Sequence, residues 1–510
     1  MTKSATREAA DSVDLPLAGG TMTGNLATAG ISAVTAGTSN FVAGVNAGNS
    51  ITSGGNYNTV VGDEAGTAIT TGDRNSAVGM SALVANTTGS FNAALGYESL
   101  KANTTGGQNT GLGDRTLLAN TTGSLNTAVG QGSLAANTTA SNNVAVGVYA
   151  LEANTTGANN TAVGRSALTD NTTASENTAV GEQCLAANTT GTGNCGLGRQ
   201  ALNNNTTASN NTGMGLYALY ANTTGSTNTS LGYYALIANT TASSGTAVGS
   251  NSLSANTTGA HNTAVGKNSL QDNTTGQYQT AVGSQALRDN TTGVGSTAVG
   301  FESLKAAVST SQAYGNTAIG KSSGYNITTG YNNTMIGEGS RGDQPSTNDQ
   351  VVLGSNVQSV GGGYVTLGIG TSRTYVAAGA TSWAGTSDLR LKDNITTSTA
   401  GLSFINDLRP ITFEWKAKGD VPSELNYYEE GSTERVNNTD KVQHGFLAQE
   451  IKATIDAHPE IKSGHSMWME QGDGTQGIAQ GQLVPMLVKA IQELSTQNAA
   501  LAARLTALEE

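Results

Sequence analysis

A glycine recurs every 17 residues from Gly62 to Gly300, and this repeat constrains the fold more than any other feature of the chain. One interval of 20 residues then leads to Gly320, and intervals of 17 return at Gly337 and Gly354. The unit reads Asn-Thr-Ala-Val-Gly, three variable residues, Leu, two further residues and Asn-Thr-Thr-Gly. A short fixed period indicates stacked structural repeats, each of which contacts only its neighbours.

Two apolar positions recur in the repeat. The residue before the glycine is apolar in every repeat, and a leucine stands four residues after the glycine in fourteen consecutive repeats, from Leu83 to Leu304. We expect both positions to form the buried stripe. Asn-Thr-Thr occurs thirteen times, from Asn86 to Asn290. These triplets match a glycosylation sequon, but a turn in which Asn and Thr side chains stack as ladders is the favoured interpretation.

The repeat length selects the fold class. A helical solenoid repeat takes about 30 residues or more, whereas a short repeat rich in Gly, Thr and Val fits two short strands and two turns. The sequence therefore predicts a mainly β protein with a 17-residue-repeat parallel β-roll or β-solenoid shaft. Two large inward residues per coil make a thin core, and chain association is one way to compensate for a thin core. We expect a homotrimer with the coils packed around a shared axis.

Composition excludes several function classes. Charged residues make up 12% of the chain, against about a quarter in typical soluble domains, so an ordinary multi-domain enzyme is disfavoured. A net charge of −12 argues against a nucleic-acid partner, and two cysteines cannot form a disulfide framework. The chain has neither a long apolar run nor a recognisable export signal, so we expect no membrane insertion. No cofactor and no metal site are expected.

The chain changes character near residue 387. No proline occurs between Pro16 and Pro345, yet four of the six prolines follow residue 387. Residues 387–510 are predicted to be a small α+β domain, with a helix over 442–458. The apolar spacing from 484 to 508 alternates three and four, which predicts a coiled coil with a polar a position that sets register. In the expected homotrimer this is a trimeric coiled coil. The alternative is an amphipathic helix packed on its own domain. The residues expected to set the trimer register are Ile491, Leu494, Asn498, Leu501 and Leu505.

The segment that begins at Ser387 carries a possible nucleophile. A serine hydroxyl needs a neighbouring base, and a lysine amine serves once burial or nearby cations favour its neutral form. Lys392 follows Ser387 by five residues, so a turn can bring the two side chains together. If the serine attacked the bond before it, the carbonyl would be that of Thr386, with Gly385 permitting a strained bend and Asp388 orienting the lysine or the turn. Alternatively, Ser387 and Asp388 only cap a helix and Lys392 is solvated.

Three blocks of the C-terminal region carry a resemblance to a known family. They are Ser387-Asp388-Leu389-Arg390-Leu391-Lys392, then His444-Gly445-Phe446-Leu447-Ala448-Gln449-Glu450, and lastly Leu483-Val484-Pro485 with Ala490-Ile491-Gln492-Glu493-Leu494. Together they resemble the intramolecular chaperone domain of phage endosialidases, tail spikes and neck appendages. The resemblance implies a domain that trimerises the fibre during folding and then cleaves itself off between Thr386 and Ser387. It also implies supporting roles for His444 and Glu450.

Two further resemblances concern the remainder of the chain. The 17-residue repeats resemble the head repeats of trimeric adhesins, which form left-handed parallel β-rolls, and residues 15–25 resemble a short element of phage tail fibres. We therefore expect a virion-attachment segment over 1–55, a repeat shaft over 56–345 and a distal tip over 346–386. An auto-processing chaperone domain over 387–482 and a coiled-coil helix over 483–510 complete the prediction. Aromatic residues of the tip either bind a receptor or cap the shaft; those singled out are Tyr364, Tyr375 and Trp383.

The function expected from these features is that of a phage tail fibre. Its partners are two further copies of the chain, a virion tail or baseplate protein, and a host cell-surface glycan or protein receptor. The location is the virion, after assembly in the host cytoplasm. The expected catalysis is a single-turnover self-cleavage with no external substrate. The alternatives are a polysaccharide-degrading tail spike, which needs paired carboxylates in a groove, and a bacterial trimeric surface adhesin.

Overall fold

A computed structural model describes residues 31–32, 35–307, 314–380, 382–385, 387–437, 439–461, 466–472 and 474–509. The chain divides into two units, Met1–Thr386 and Ser387–Glu510. Most of the predicted attachment segment, including residues 15–25, lies outside the described residues. In the described part of the chain, no helix has the length and apolar character needed to cross a membrane.

Each coil of the first unit contributes one short strand to a single long sheet. From β2 to β20 every strand pairs in parallel with the next, so that Thr161 lies opposite Thr178, one 17-residue repeat further on. The strands in chain order are β1 (Ile31–Ser32), β2 (Phe41–Ala43), β3 (Thr59–Val61), β4 (Ser76–Val78), β5 (Ala93–Leu95), β6 (Thr110–Leu112), β7 (Thr127–Val129), β8 (Val144–Val146), β9 (Thr161–Val163), β10 (Thr178–Val180), β11 (Cys195–Leu197), β12 (Thr212–Met214), β13 (Thr229–Leu231), β14 (Thr246–Val248), β15 (Thr263–Val265), β16 (Thr280–Val282), β17 (Thr297–Val299), β18 (Thr317–Ile319), β19 (Thr334–Ile336) and β20 (Val351–Leu353).

The predicted β-solenoid is confirmed, but its coils are simpler than expected. Each coil has one three-residue strand instead of two strands. The rest of the coil consists of turns whose main-chain groups bond the next coil, as when the amide of Leu117 donates to the carbonyl of Ser133 at 3.1 Å. Turns that stack in this way satisfy their polar groups without a second strand.

The interior of the coils contains small residues and, from Leu83 to Leu304, one leucine per coil. The central strand residue and the leucine are fully buried, as Ala128 and Leu134 illustrate. The apolar residue before each glycine is the third residue of the strand, so its side chain points to the opposite face from the central one. Leu95 is 49% exposed and Leu231 is 46% exposed. The prediction that this position is buried is therefore wrong for the single chain.

Asparagine side chains form ladders inside the solenoid. The Asn120 amide nitrogen donates to Asn103 Oδ1 at 2.8 Å and to the carbonyl of Gly123 at 3.0 Å. The Asn137 amide then donates to Asn120 Oδ1 at 2.8 Å, and the pattern repeats along neighbouring coils. A second ladder links Asn109 to the backbone amide of Asn126. The Asn-Thr-Thr asparagines are thus structural, and they are buried instead of lying on the surface.

The repeating glycine is required by close approach of adjacent coils. Gly164 has a φ of +131°, a conformation that side-chain-bearing residues rarely adopt. A Cβ at this residue would lie 2.5 Å from the carbonyl oxygen of Gly181 in the next coil. Any other residue at this corner would therefore push the coils apart.

The first unit ends in a hairpin that extends the solenoid sheet. Strand β21 (Tyr364–Ile369) pairs in parallel with β20, and β22 (Ser372–Ala377) pairs antiparallel with β21. The short β23 (Ala384–Gly385) pairs antiparallel with β22, so that Tyr375 lies opposite Ala384. The hairpin thus covers the free edge that the last coil would otherwise expose.

The second unit is a small α+β domain followed by a long helix, as predicted. Its core contains Phe404, Ile451, Ile455, Met467 and Leu483. The elements are the 3₁₀ helices Leu389–Leu391, Lys418–Asp420 and Gln480–Gln482, the α-helices α1 (Leu402–Asn406), α2 (Ala448–Ala457) and α3 (Leu483–Glu509), and the strands β24 (Ile411–Phe413), β25 (Gln443–Gly445), β26 (Trp468–Glu470) and β27 (Gln476–Ile478).

The helix predicted over 442–458 is shorter than expected. Residues 443–445 form β25, which pairs antiparallel with β24, and α2 begins only at Ala448. Ile451 and Ile455 are buried on one face of this helix, which accounts for the helical spacing in the sequence. Phe446 and Leu447 precede the helix and fit the same helical spacing by coincidence.

Candidate active site

A tight turn brings a serine and a lysine together at the start of the second unit. The 3₁₀ helix Leu389–Leu391 begins after Asp388, whose carboxylate accepts a hydrogen bond from the Arg390 amide at 2.8 Å. The turn closes when the Lys392 amide donates to the carbonyl of Leu389 at 3.2 Å. As a result, Lys392 Nζ donates a hydrogen bond to Ser387 Oγ at 2.7 Å. This distance suits direct proton transfer between a nucleophile and a base.

Asp388 stabilises the turn and does not contact the lysine. Its carboxylate forms a salt bridge with Arg390, with Arg390 Nη2 at 2.6 Å from Oδ2. The Arg390 hydrogen bonds hold the pKa of Asp388 below its usual value. Of the two roles considered for Asp388, the structure therefore shows only the one in the local turn.

Both residues of the dyad are exposed to solvent in the single chain. The neighbouring Leu389 and Leu391 are each 73% exposed, and Ile395 is 59% exposed. A lysine accepts a proton only when its neutral form is favoured by burial or by nearby cations. The geometry of the dyad is thus preformed, whereas an environment that favours catalysis is absent from the described part of the chain.

The acyl side of the candidate scissile bond is described only in part. Thr386 lies outside the described residues. Gly385, the second residue of β23, has no positive φ, so the strained bend expected at this glycine is not found. The chain therefore approaches the bond as an extended strand.

The two residues assigned supporting roles lie elsewhere in the second unit. His444 is exposed in β25, opposite Thr412 of β24. Glu450 lies in the first turn of α2 and accepts a hydrogen bond from Arg409 Nε at 3.0 Å. Arg409 also lowers the pKa of the Glu450 carboxyl. Among the described residues, no hydrogen bond or ion pair links His444 or Glu450 to the serine–lysine dyad.

Sequence reasoning missed a cavity of about 290 Å³ beside Glu450. Leu408, Phe446, Leu447 and Ile451 provide its apolar lining, and the Arg409–Glu450 ion pair lies at the same site. Arg409 and Glu450 are 41 residues apart in sequence, and no spacing pattern connects them. Only the folded domain shows that they are neighbours.

The residues expected to set trimer register lie along an exposed strip of α3. Ile491 is 66% exposed, Leu501 is 64% exposed and Leu505 is 61% exposed, while Leu494 and Asn498 are also exposed. The first part of α3 packs on the domain: Leu483 and Ala490 are buried. Glu493 fastens this part of the helix by accepting a hydrogen bond from the Leu402 amide at 2.7 Å.

Two of the three tip aromatics lie on the terminal hairpin of the first unit, and the third follows the hairpin in sequence. Tyr364 of β21 and Tyr375 of β22 meet edge to face, with ring centroids 5.9 Å apart. Trp383 directly precedes β23 and is 53% exposed. The structure thus brings the two tyrosines into contact.

Comparison with known proteins identifies part of the second unit. A family model described as the chaperone of endosialidase matches residues 387–458, so the match begins at Ser387 itself. No curated protein and no solved structure matches the chain. The family match supports a C-terminal chaperone domain, which contains the dyad, β24, β25 and α2.

Proposed function

We propose that this chain is a trimeric tail-fibre protein whose C-terminal domain directs folding and is then released by cleavage between Thr386 and Ser387. One observation carries the proposal: the chaperone-family match begins at the serine whose hydroxyl lies 2.7 Å from the Lys392 amine. A helix cap alone would not require this contact, because Asp388 already caps the turn.

The cleavage proceeds through an ester. Lys392, in its neutral form, takes the Ser387 hydroxyl proton while the oxygen bonds the carbonyl carbon of Thr386. The carbon–nitrogen bond between the two residues then breaks, and the nitrogen receives the proton and becomes a new amino terminus. Water hydrolyses the ester, which gives the Thr386 carboxylate and regenerates the hydroxyl. Because all groups belong to one chain, a high effective concentration supports a single turnover.

The outward apolar column of the solenoid supports trimerisation. It contains an apolar residue in every coil, and none of these residues is fully buried in the single chain. A partner that covers this column must present apolar groups at the same spacing, one per coil. A second copy of the chain has that spacing. Its members are Val61, Val78, Leu95, Leu112, Val129, Val146, Val163, Val180, Leu197, Met214, Leu231, Val248, Val265, Val282, Val299, Ile319, Ile336 and Leu353.

The regularity of the column creates a need for the C-terminal domain. A slip of one coil between chains preserves nearly every contact, so the shaft specifies its own register weakly. The exposed strip of α3 contains one polar residue, Asn498, and a single buried Asn in a coiled coil fixes register and strand number. Removing the domain after the shaft has formed leaves a product that persists because unfolding is slow.

Host recognition is assigned to the distal end of the first unit. The exposed Trp383 and the Tyr364–Tyr375 pair offer aromatic surface suited to a cell-surface glycan or protein receptor. In this proposal, the opposite end of the shaft attaches to a tail or baseplate protein, and the mature fibre resides on the virion.

The proposal is tested by intact-mass and native-mass measurements on freshly expressed variants. We expect the wild type to yield two fragments that separate at Ser387, and Ser387→Ala to remain one 51.3 kDa chain that still forms trimers. Ser398→Ala is the matched control, because Ser398 is an exposed serine of the same unit, and this variant should be cleaved. Cleavage of Ser387→Ala at the same bond would refute the assigned nucleophile.

A further inference from the structure

Two consecutive glycines interrupt a column of side chains on the turn that leads into each solenoid strand. Gly295 and Gly315 occupy this column in adjacent coils, and both are exposed. Tyr278 holds the same position in the coil before them, and Asn332 holds it in the coil after them. At about 4.8 Å per coil, these two side chains start about 14 Å apart along the shaft. The exposed backbone between them is termed the glycine slot.

The backbone conformation does not account for these glycines. Gly295 has a φ of +70° and Gly315 has a φ of +67°. In the same column, Arg74 has a φ of +55° and Tyr278 has a φ of +57°, so this turn accepts residues with side chains. A Cβ on Gly295 would meet no atom of another part of the described chain within 4 Å. The glycines therefore leave open a space that the stacking of the coils does not require.

Exposed aromatic rings border the glycine slot. Tyr278 is 59% exposed, and its ring stacks on that of His261 in the preceding coil, with centroids 5.2 Å apart. The other face of the Tyr278 ring is directed toward Gly295, which has no side chain to cover it. Tyr314, farther along the slot, is 46% exposed and stacks on Tyr331 with centroids 5.0 Å apart. The slot thus has a bare backbone floor, an open ring face and a second aromatic pair.

The charge and the size of the glycine slot exclude several classes of ligand. None of the four segments that form it contains Lys, Arg, Asp or Glu: 277–279, 294–296, 314–316 and 331–333. Nucleic acids and acidic polysaccharides need cations for their phosphate or carboxylate groups, so neither class fits this surface. A slot about 14 Å long also offers only a fraction of the roughly 800 Å² per partner that a specific protein interface takes.

We propose that the glycine slot binds a neutral glycan, with one sugar ring lying on the open face of Tyr278. The C–H face of a sugar packs on an aromatic ring, while its hydroxyl groups need hydrogen-bond partners at the edges. The exposed amides of Gln277 and Asn332 supply such partners beside the ring. The inference goes beyond the proposed function, which assigns host recognition to the terminal hairpin, and it does not depend on cleavage.

Affinity electrophoresis of the expressed protein through gels that contain a polysaccharide tests this site. Dextran, mannan and laminarin are the neutral probes, and polygalacturonate is the acidic probe. We expect at least one neutral probe to retard the wild type and polygalacturonate not to do so. Tyr278→Ala should weaken this binding at least about tenfold, because truncating a central aromatic anchor has a cost of this size.

A second variant closes the slot without removing the ring. Gly295→Arg copies the arrangement at the start of the shaft, where Arg74 lies over the ring of Tyr57 at 5.4 Å. This variant should also lose binding at least about tenfold, because the new side chain covers the open face of Tyr278. Tyr57→Ala is the matched control, since Tyr57 is 57% exposed in the same column, and it should bind like the wild type.

The terminal hairpin is tested separately with Trp383→Ala, which should keep the neutral-glycan binding. The inference is overturned if none of the three neutral probes retards the wild type, or if Gly295→Arg and Tyr278→Ala bind as the wild type does. It is also overturned if Trp383→Ala alone abolishes binding. Native mass on the same samples reports cleavage and trimer formation independently, so the proposed function stands or fails on that measurement and not on the gels.

Discussion

Replacing Asn120 with alanine tests the claim that buried amide ladders hold the coils together. The change removes the donor to Asn103 Oδ1 and the acceptor for Asn137 Nδ2. All three side chains are fully buried, so water cannot replace these bonds in the folded state. Asn103 Oδ1 loses its donor, whereas the Asn137 amide keeps its hydrogen bond to the carbonyl of Ala140 at 3.1 Å. A buried polar group that loses its partner costs about 1–3 kcal/mol, so we expect a loss of about 2 kcal/mol.

Native-state hydrogen exchange measures this loss where it occurs. In a solenoid the damage acts mainly on neighbouring coils, so a global melting curve would dilute it. A loss of about 2 kcal/mol in opening free energy speeds amide exchange in the adjacent coils by roughly 30-fold. The control is Thr122→Ala, because Thr122 is exposed on the same turn and its removal should change exchange by less than about threefold. If Asn120→Ala exchanges like Thr122→Ala, the ladder does not stabilise the coils.

Three further predictions concern the coil corner, the chaperone domain and the C-terminal helix α3. Gly164→Ala should raise local hydrogen exchange in the adjoining coils and lower the yield of soluble protein, because its Cβ would lie 2.5 Å from the next coil's backbone; unchanged exchange would contradict the required close approach. His458 forms hydrogen bonds to the carboxylates of Glu460 and Asp407, and these bonds, the one to Glu460 first, raise the pKa of His458. The stability from this cluster should therefore be complete below the ordinary histidine pKa and fall as pH rises through the raised value. Thermal unfolding of the uncleaved Ser387→Ala chain should follow this trend and lose it when His458→Gln is added. Asn498→Leu should yield oligomers of mixed size by native mass, since the polar residue that specifies strand number is gone; a uniform trimer would argue against that role.

The repeat unit predicted the solenoid because its period is too short for a helical repeat, but the sequence did not reveal which residues face inward. In a three-residue strand the central residue faces one side and its neighbours face the other. Apolar character pointed to Val129 as buried, whereas the structure buries the smaller Ala128. The outward position of Val129 is consistent with a second apolar surface, and a single sequence does not distinguish a core from an interface.

Local spacing also explains which parts of the candidate site were predictable. Ser387 and Lys392 are close in sequence, so a turn brings them together without help from the rest of the fold. Arg409 and Glu450 meet only after α2 has packed beside the chain that enters β24. That contact depends on tertiary packing, and no repeated spacing in the sequence indicates it.

The most direct test of the account follows newly made wild-type protein by native mass over time. Uncleaved trimers should accumulate first, and the fragment that begins at Ser387 should appear only from those trimers. Fragment release from monomers, or a stable monomer that is never cleaved, would contradict the central claim that the C-terminal domain assembles the shaft before it is removed.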